Sequence, residues 1–248
     1  MADEKMVTKD GKVIKETIQM KRGMRKLIAD NMKASKLKAP HMSGFVHMDV
    51  TGMVELKKKF KEKGYKISYT EILIKVVALA IQDIPIVNAS YNVEAEQIEV
   101  YESVNVGFAV ATPSGGLVVP NIKNCQNLSI FEISEKMKEM VERIRNNKMD
   151  FSWFQGGTIT VSSMGMFGMD GAAPIINMPE AMIIGVGKII KMPMYDKDMN
   201  IVPRDMCYIS TSADHCVMDG VPASKFVQRM SEIIADCESY LVPEWPAK

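Results

Sequence analysis

Apolar residues recur at helical spacing in five stretches of this chain, and strand-like runs fill much of the sequence between them. Met24, Leu27, Ile28 and Met32 share one helical face, with Arg22, Arg25 and Lys26 interleaved, and Pro40 closes the element. Residues 44–50 alternate like a strand with one polar face. A short Lys-rich helix over 53–60 follows and ends before Gly64. Ser68 with Glu71, and Ser129 with Glu132, each spell a capping box, the signature of a helix start. Behind the first, Ile72, Leu73, Val76, Val77, Leu79 and Ala80 predict a largely buried helix that Pro85 ends. Behind the second, Ile130, Ile133, Met137, Met140, Val141 and Ile144 predict an amphipathic helix finishing in a basic turn at Arg143 and Arg145.

Strand-like runs cover 97–101, 103–111, 117–120 and 158–163, with turn signals at 113–116 and 155–157. A fully apolar run over 181–186 and a strand-like run over 206–213 predict two further strands. Phe226, Val227, Met230, Ile233, Ile234, Cys237 and Leu241 mark one last helix. No strict βαβ rhythm appears, so the predicted class is α/β with a mixed sheet and helices packed mainly on one face. Residues 1–17 are polar and without period, as in a flexible tail or the remnant of a linker, which leaves 18–248 as the folded domain.

Composition narrows the chemistry mainly by exclusion. Charged residues make up 25% of the 248 and the net charge is +1, so nothing points to nucleic acid as a partner. No apolar run reaches the length of a membrane span, and the first residues lack the apolar stretch of a secretory signal. Four scattered cysteines, none at CxxC spacing, argue against zinc and against a disulfide framework, and fit a reducing compartment. The 22 methionines read as adaptable core filler.

His215 is the residue whose setting suggests chemistry. It ends a strand-like run and precedes a long amphipathic helix, with Asp219 four positions on, a setting that suits a general base. His41 and His47 have no carboxylate or thiol at ligand spacing and are read as non-catalytic, and no metal site is expected. Ser162 lies at a strand end, where a hydroxyl can donate to an oxyanion. The loop holding Gly165, Gly168 and Gly171 lacks P-loop and GxGxxG registers; it reads as a loop whose backbone approaches a substrate or a neighbouring subunit.

Several stretches, in order, resemble the catalytic core of the dihydrolipoamide acyltransferases, the E2 components of 2-oxo-acid dehydrogenase complexes. They are residues 25–32, the Ala39-Pro40-His41 turn, 85–90, 107–113 with 116–120, 156–162, and Asp214-His215 through Asp219-Gly220. The resemblance runs from about Ile18 to the C-terminus. It implies the fold of chloramphenicol acetyltransferase, assembled as homotrimers with the active site between subunits and built up into a larger core. It implies that His215 activates the thiol of coenzyme A, that Ser162 of a neighbouring subunit holds the oxyanion, and that Asp219, backed by Arg25, organises the site. Coenzyme A would be a substrate, and the lipoyl group would be presented by a domain absent from this chain. Expected partners are that lipoyl domain and the E1 and E3 components, in the bacterial cytoplasm or the mitochondrial matrix.

Cys216 stands where most of the family has arginine; the expectation for it is a buried, inert thiol. Two other readings stay open: a free-standing acyltransferase using coenzyme A, and an inactive structural core. The acyl group is not legible, because residues 119–124 resemble branched-chain members while 164–168 resemble acetyl-transferring ones.

Overall fold

A computed structural model describes residues 23–113, 116–243 and 245–246; the tail expected at 1–17 lies outside them. Both capping boxes form. The Ser68 hydroxyl accepts from Glu71 N and the Glu71 carboxylate from Ser68 N at the start of α3 (Tyr69–Asp83), and Ser129 and Glu132 do the same for α4 (Ile130–Arg145). With their first N–H groups satisfied, both helices start where the serines stand. α1 (Met24–Lys38) ends before Pro40, and α2 (Thr51–Glu62) ends before Gly64, whose φ of 86° a side chain would strain. The predicted last helix divides into α5 (Gly220–Ala235) and α6 (Cys237–Leu241) at Asp236, which leaves helical geometry.

Ten strands form. β1 (His41–Asp49), β4 (Val106–Phe108), β7 (Asn121–Ile122), β8 (Ile159–Ser163), β9 (Met182–Tyr195) and β10 (Ile201–Asp214) make a six-stranded sheet in the order β1-β10-β9-β8-β4-β7. It is mixed as expected: β4 and β9 run parallel to β8, and the other pairs are antiparallel. Two small hairpins complete the set, β2 (Ala89–Asn92) with β3 (Gln97–Val100) and β5 (Val110–Ala111) with β6 (Leu117–Val118).

Side-chain alternation sends the two faces of the sheet to different partners. On β9, Met182, Ile184 and Val186 enter the main core with Phe60, Ile72, Val76, Ile133, Phe226 and Ile233 of the helices. Ile183, between them, packs instead on Ala39 and Ile176 in a small second cluster on the other face. That second face is covered by the 164–181 segment, which lies so close that a Cβ at Gly187 would stand 1.7 Å from the Asp170 carbonyl oxygen.

The β9–β10 hairpin is far longer than its apolar runs. Its outer half is largely exposed, and Pro193 and Pro203 face each other across the ladder. Neither period nor propensity announces such a ribbon.

Candidate active site

β10 runs up to Asp214 and is turned there by that residue's own groups. The buried Asp214 carboxylate accepts from Cys216 N at 2.9 Å, and its carbonyl accepts from Val217 N and Met218 N at 3.0 and 3.2 Å. This turn buries Val217 and Met218 and presents His215 and Cys216 outward. Two further bonds fix its height: Asp214 N donates to Ala181 O at 2.8 Å, and His215 N donates to Pro40 O at 2.9 Å. Asp214 is a site-building residue that the sequence reading quoted without assigning it a task. An aspartate leading out of a strand into a tight turn was the available signal.

Asp219 occupies the N-cap position of α5 without making a capping bond. Its carboxylate lies 3.5 Å from His215 Nδ1, and the two side chains are 87% and 49% exposed. At that distance and exposure the carboxylate biases the ring's orientation but does not lock it. With Nδ1 turned to Asp219, Nε2 is the nitrogen left to meet a substrate.

Arg25 is exposed in the first turn of α1, and no ion pair joins it to Asp219 within the chain. Cys216 is exposed, contrary to the buried thiol expected, because the Asp214 turn aims residues 215 and 216 outward. Its thiol is nevertheless pushed above the ordinary value, first by lost hydration and then by the Asp214 carboxylate, which keeps it protonated.

Ser162 lies on β8, on the face opposite Ile159 and Val161, which both enter the main core. Its hydroxyl is half-buried and has no hydrogen-bond partner among the described residues. The register shows how far it is from His215. Ser162 pairs with Gly185 and Gly185 with Ser210, whereas His215 lies five residues beyond Ser210, toward the start of β9. Two strand spacings across and five residues along put the two side chains about 20 Å apart, on strands separated by β9. One chain does not bring them together.

The glycine loop after Ser162 packs on its own sheet. A Cβ at Gly165 would stand 2.4 Å from Gly187 O, and one at Gly171 would stand 2.1 Å from the Tyr208 ring. This close packing projects Met166 and Phe167 outward, 83% and 72% exposed, next to Ser162. Along the edge strand, a groove of about 530 Å³ runs between β1 and α5, from Phe45 to Gly220 beside Asp219.

Glu180, which the sequence reading passed over, is buried just before β9. It accepts from Thr160 Oγ1 at 2.6 Å and from Asn177 Nδ2 at 2.9 Å. Burial pushes its carboxyl up to about 7 against these two bonds. No cluster of His, Cys, Asp and Glu suited to a metal is present among the described residues, and none of the described helices is long and apolar enough to cross a membrane.

A model of the 2-oxoacid dehydrogenases acyltransferase (catalytic domain) family matches residues 14–242. The lipoamide acyltransferase component of the branched-chain alpha-keto acid dehydrogenase complex of Bacillus subtilis is 35% identical over 86% of this chain and 50% of its own. The dihydrolipoyllysine-residue acetyltransferase component of the pyruvate dehydrogenase complex of Pseudomonas aeruginosa is 33% identical over 86% of this chain and 40% of its own. The chain therefore spans half or less of the length of these relatives.

Among solved structures, the cubic core of the pyruvate dehydrogenase multienzyme complex superposes with a TM-score of 0.83 at 32% identity, covering 92% of this chain and 94% of that one. The Azotobacter vinelandii dihydrolipoamide acetyltransferase gives 0.83 at 31%, covering 94% and 96%. In that protein the catalytic roles of a serine, a histidine and an asparagine four residues after the histidine have been investigated. Chloramphenicol acetyltransferase, at 12% identity over 89% of this chain and all of that one, gives 0.51 and shares the fold. The chain belongs to the 2-oxoacid dehydrogenase acyltransferase family and carries its catalytic domain.

Proposed function

We propose that this domain moves an acyl group between dihydrolipoamide and coenzyme A, at sites shared between subunits of a homotrimer. The observation that carries the reading is the separation of a candidate base and a half-buried hydroxyl by far more than a side chain can reach within one chain. Among the described residues neither His215 Nε2 nor the Ser162 hydroxyl has a hydrogen-bond partner, and the two lie about 20 Å apart. A rotation that brings the Ser162 end of one copy to the His215 end of the next makes each contact heterologous, and three such contacts close a ring. Exposed Phe45 and Val46 on the edge strand β1, and Met166 and Phe167 in the loop after Ser162, supply apolar surface for contact between copies.

The chemistry then needs no covalent acyl-enzyme. His215 Nε2 takes the proton of the coenzyme A thiol as its sulfur attacks the thioester carbonyl of acyl-dihydrolipoamide. The neighbouring Ser162 hydroxyl donates to the oxyanion of the tetrahedral intermediate. The intermediate collapses by breaking its bond to the dihydrolipoyl sulfur, and protonated His215 returns the proton to that leaving sulfur. In the relative with an asparagine four residues after its histidine, no charge stands at that position. Asp219 is accordingly assigned an orienting role and not a proton-transfer role.

The lipoyl group would be carried by another domain, and the trimers would build the core on which the E1 and E3 components work. The test is formation of acyl-dihydrolipoamide from acyl-coenzyme A and dihydrolipoamide, run with acetyl, succinyl and branched-chain donors. Turnover that His215→Ala abolishes supports the reading. A correctly assembled protein that turns over none of the donors defeats it.

A further inference from the structure

We propose that His41 is a positioning residue for His215, acting through the backbone of the turn that carries it. The inference rests on the reading of His215 as the base. His41 Nε2 lies 3.0 Å from Ile176 N, and His41 Nδ1 lies 2.7 Å from Ala39 O. A backbone N–H can only donate, so Nε2 is the acceptor; the proton is then on Nδ1, which donates to Ala39 O. One neutral tautomer satisfies both bonds, and the half-buried ring becomes a cross-link between the 39–41 turn and the segment leading into β9.

Those are the two pieces of chain from which the catalytic turn hangs. His215 N donates to Pro40 O, the carbonyl between the two residues that the ring secures. Asp214 N donates to Ala181 O, five residues beyond Ile176 in the segment on the ring's other side. The relative position of these two carbonyls sets where the 214–215 backbone sits, and the His41 imidazole spans the distance between their parent segments. Besides the local Asn177–Glu180 bonds, the 176–177 segment is tied to α1: Ser35 Oγ donates to Ile176 O at 2.6 Å and Asn31 Nδ2 to Asn177 Oδ1 at 3.1 Å. They hold the helix down without touching the turn. The β1–β10 ladder, which pairs His41 with Asp214, persists without the imidazole. Loss of the ring therefore loosens the site and leaves the fold.

The experiment compares four variants in the assembled protein. His41→Leu removes both bonds and is expected to lower kcat about 10- to 100-fold, the cost of a misplacement on the order of 1 Å, with KM for both substrates within about twofold. His41→Gln restores an acceptor for Ile176 N and is expected to recover kcat to within about fivefold of the parent. Ser35→Ala, which weakens the same segment without freeing the turn, lowers Tm and leaves kcat within about twofold. His215→Ala separates this inference from the reading beneath it. If that variant is fully active, the base assignment is wrong; if it is inactive while His41→Leu keeps parental kcat, only the present inference is. A loss confined to KM, or a glutamine variant no better than leucine, also overturns it. Where the leucine chain fails to assemble, His41→Asn takes its place: it keeps a donor near Ala39 O and gives up the Ile176 bond, so a kcat fall supports the role and parental kcat refutes it.

Discussion

Subunit mixing provides the strongest test of the shared site. Ser162→Ala removes the oxyanion donor and is expected to cost about 10²–10³ in kcat; His215→Ala removes the base. If each site takes His215 from one subunit and Ser162 from the next, a trimer containing both variants regains an intact site wherever a serine-less subunit supplies the histidine to a histidine-less neighbour. For a random one-to-one mixture each site has a one-half chance of the right residue on either side, so about one quarter of the sites are restored. Each variant alone contributes about 1% or less of the unsubstituted activity, which makes the rise at least some tenfold. The expectation follows from the register: with the two side chains about 20 Å apart in a single chain, no side-chain motion brings them together. Co-expression of the two variants with different affinity tags, double purification and the acyl-transfer assay give the number. Activity no higher than the mean of the two pure variants, in particles shown by mass to contain both, would refute the shared-site reasoning.

Three other expectations follow from the geometry. Asp219→Asn should keep kcat within about threefold, since the Asp219 carboxylate is exposed and 3.5 Å from the ring; a hundredfold loss in a steady-state assay would give Asp219 a larger task than orientation. Ser129→Ala should cost about 1 kcal/mol through loss of the α4 capping box, seen as a Tm drop of a few degrees with kcat unchanged. Glu180 should make stability fall as pH rises. The folded carboxyl keeps its proton up to about 7 while an unfolded one releases it near 4.5, so the folded chain binds the extra proton in that window. Over the whole window the fall amounts to roughly 3 kcal/mol, and thermal melts of Glu180→Gln between pH 5 and 8 should lose most of the slope. An unchanged slope would mean that another group titrates.

The parts of this molecule that could be read from its sequence are those in which a local pattern has a local cause. Ser68 with Glu71 and Ser129 with Glu132 fix helix starts because the bonds they make span three residues. The outer half of the β9–β10 ribbon was not legible, because exposed residues and facing prolines carry no core-directed period. Cys216 was misjudged because its exposure is set by the Asp214 turn and not by its own apolar character. The site shows the same division. His215, Asp219 and Ser162 were named from motif and position, and the turn around Asp214 explains why the first two stand together. The cross-link from His41 to Ile176 joins residues 135 apart and has no signature at either end. Local reading could supply the reactive groups and the strand ends they occupy, but not the distance between them. That distance comes from strand order and register, because two neighbouring ladders carry Ser162 to the level of Ser210 and leave His215 five residues further on, past the end of β10. If His215 is the base and Ser162 the oxyanion donor, as proposed, a separation of about 20 Å in one chain means that association sets the reactive geometry. Weakening the contact between copies should therefore lower turnover before it lowers the stability of the individual domain.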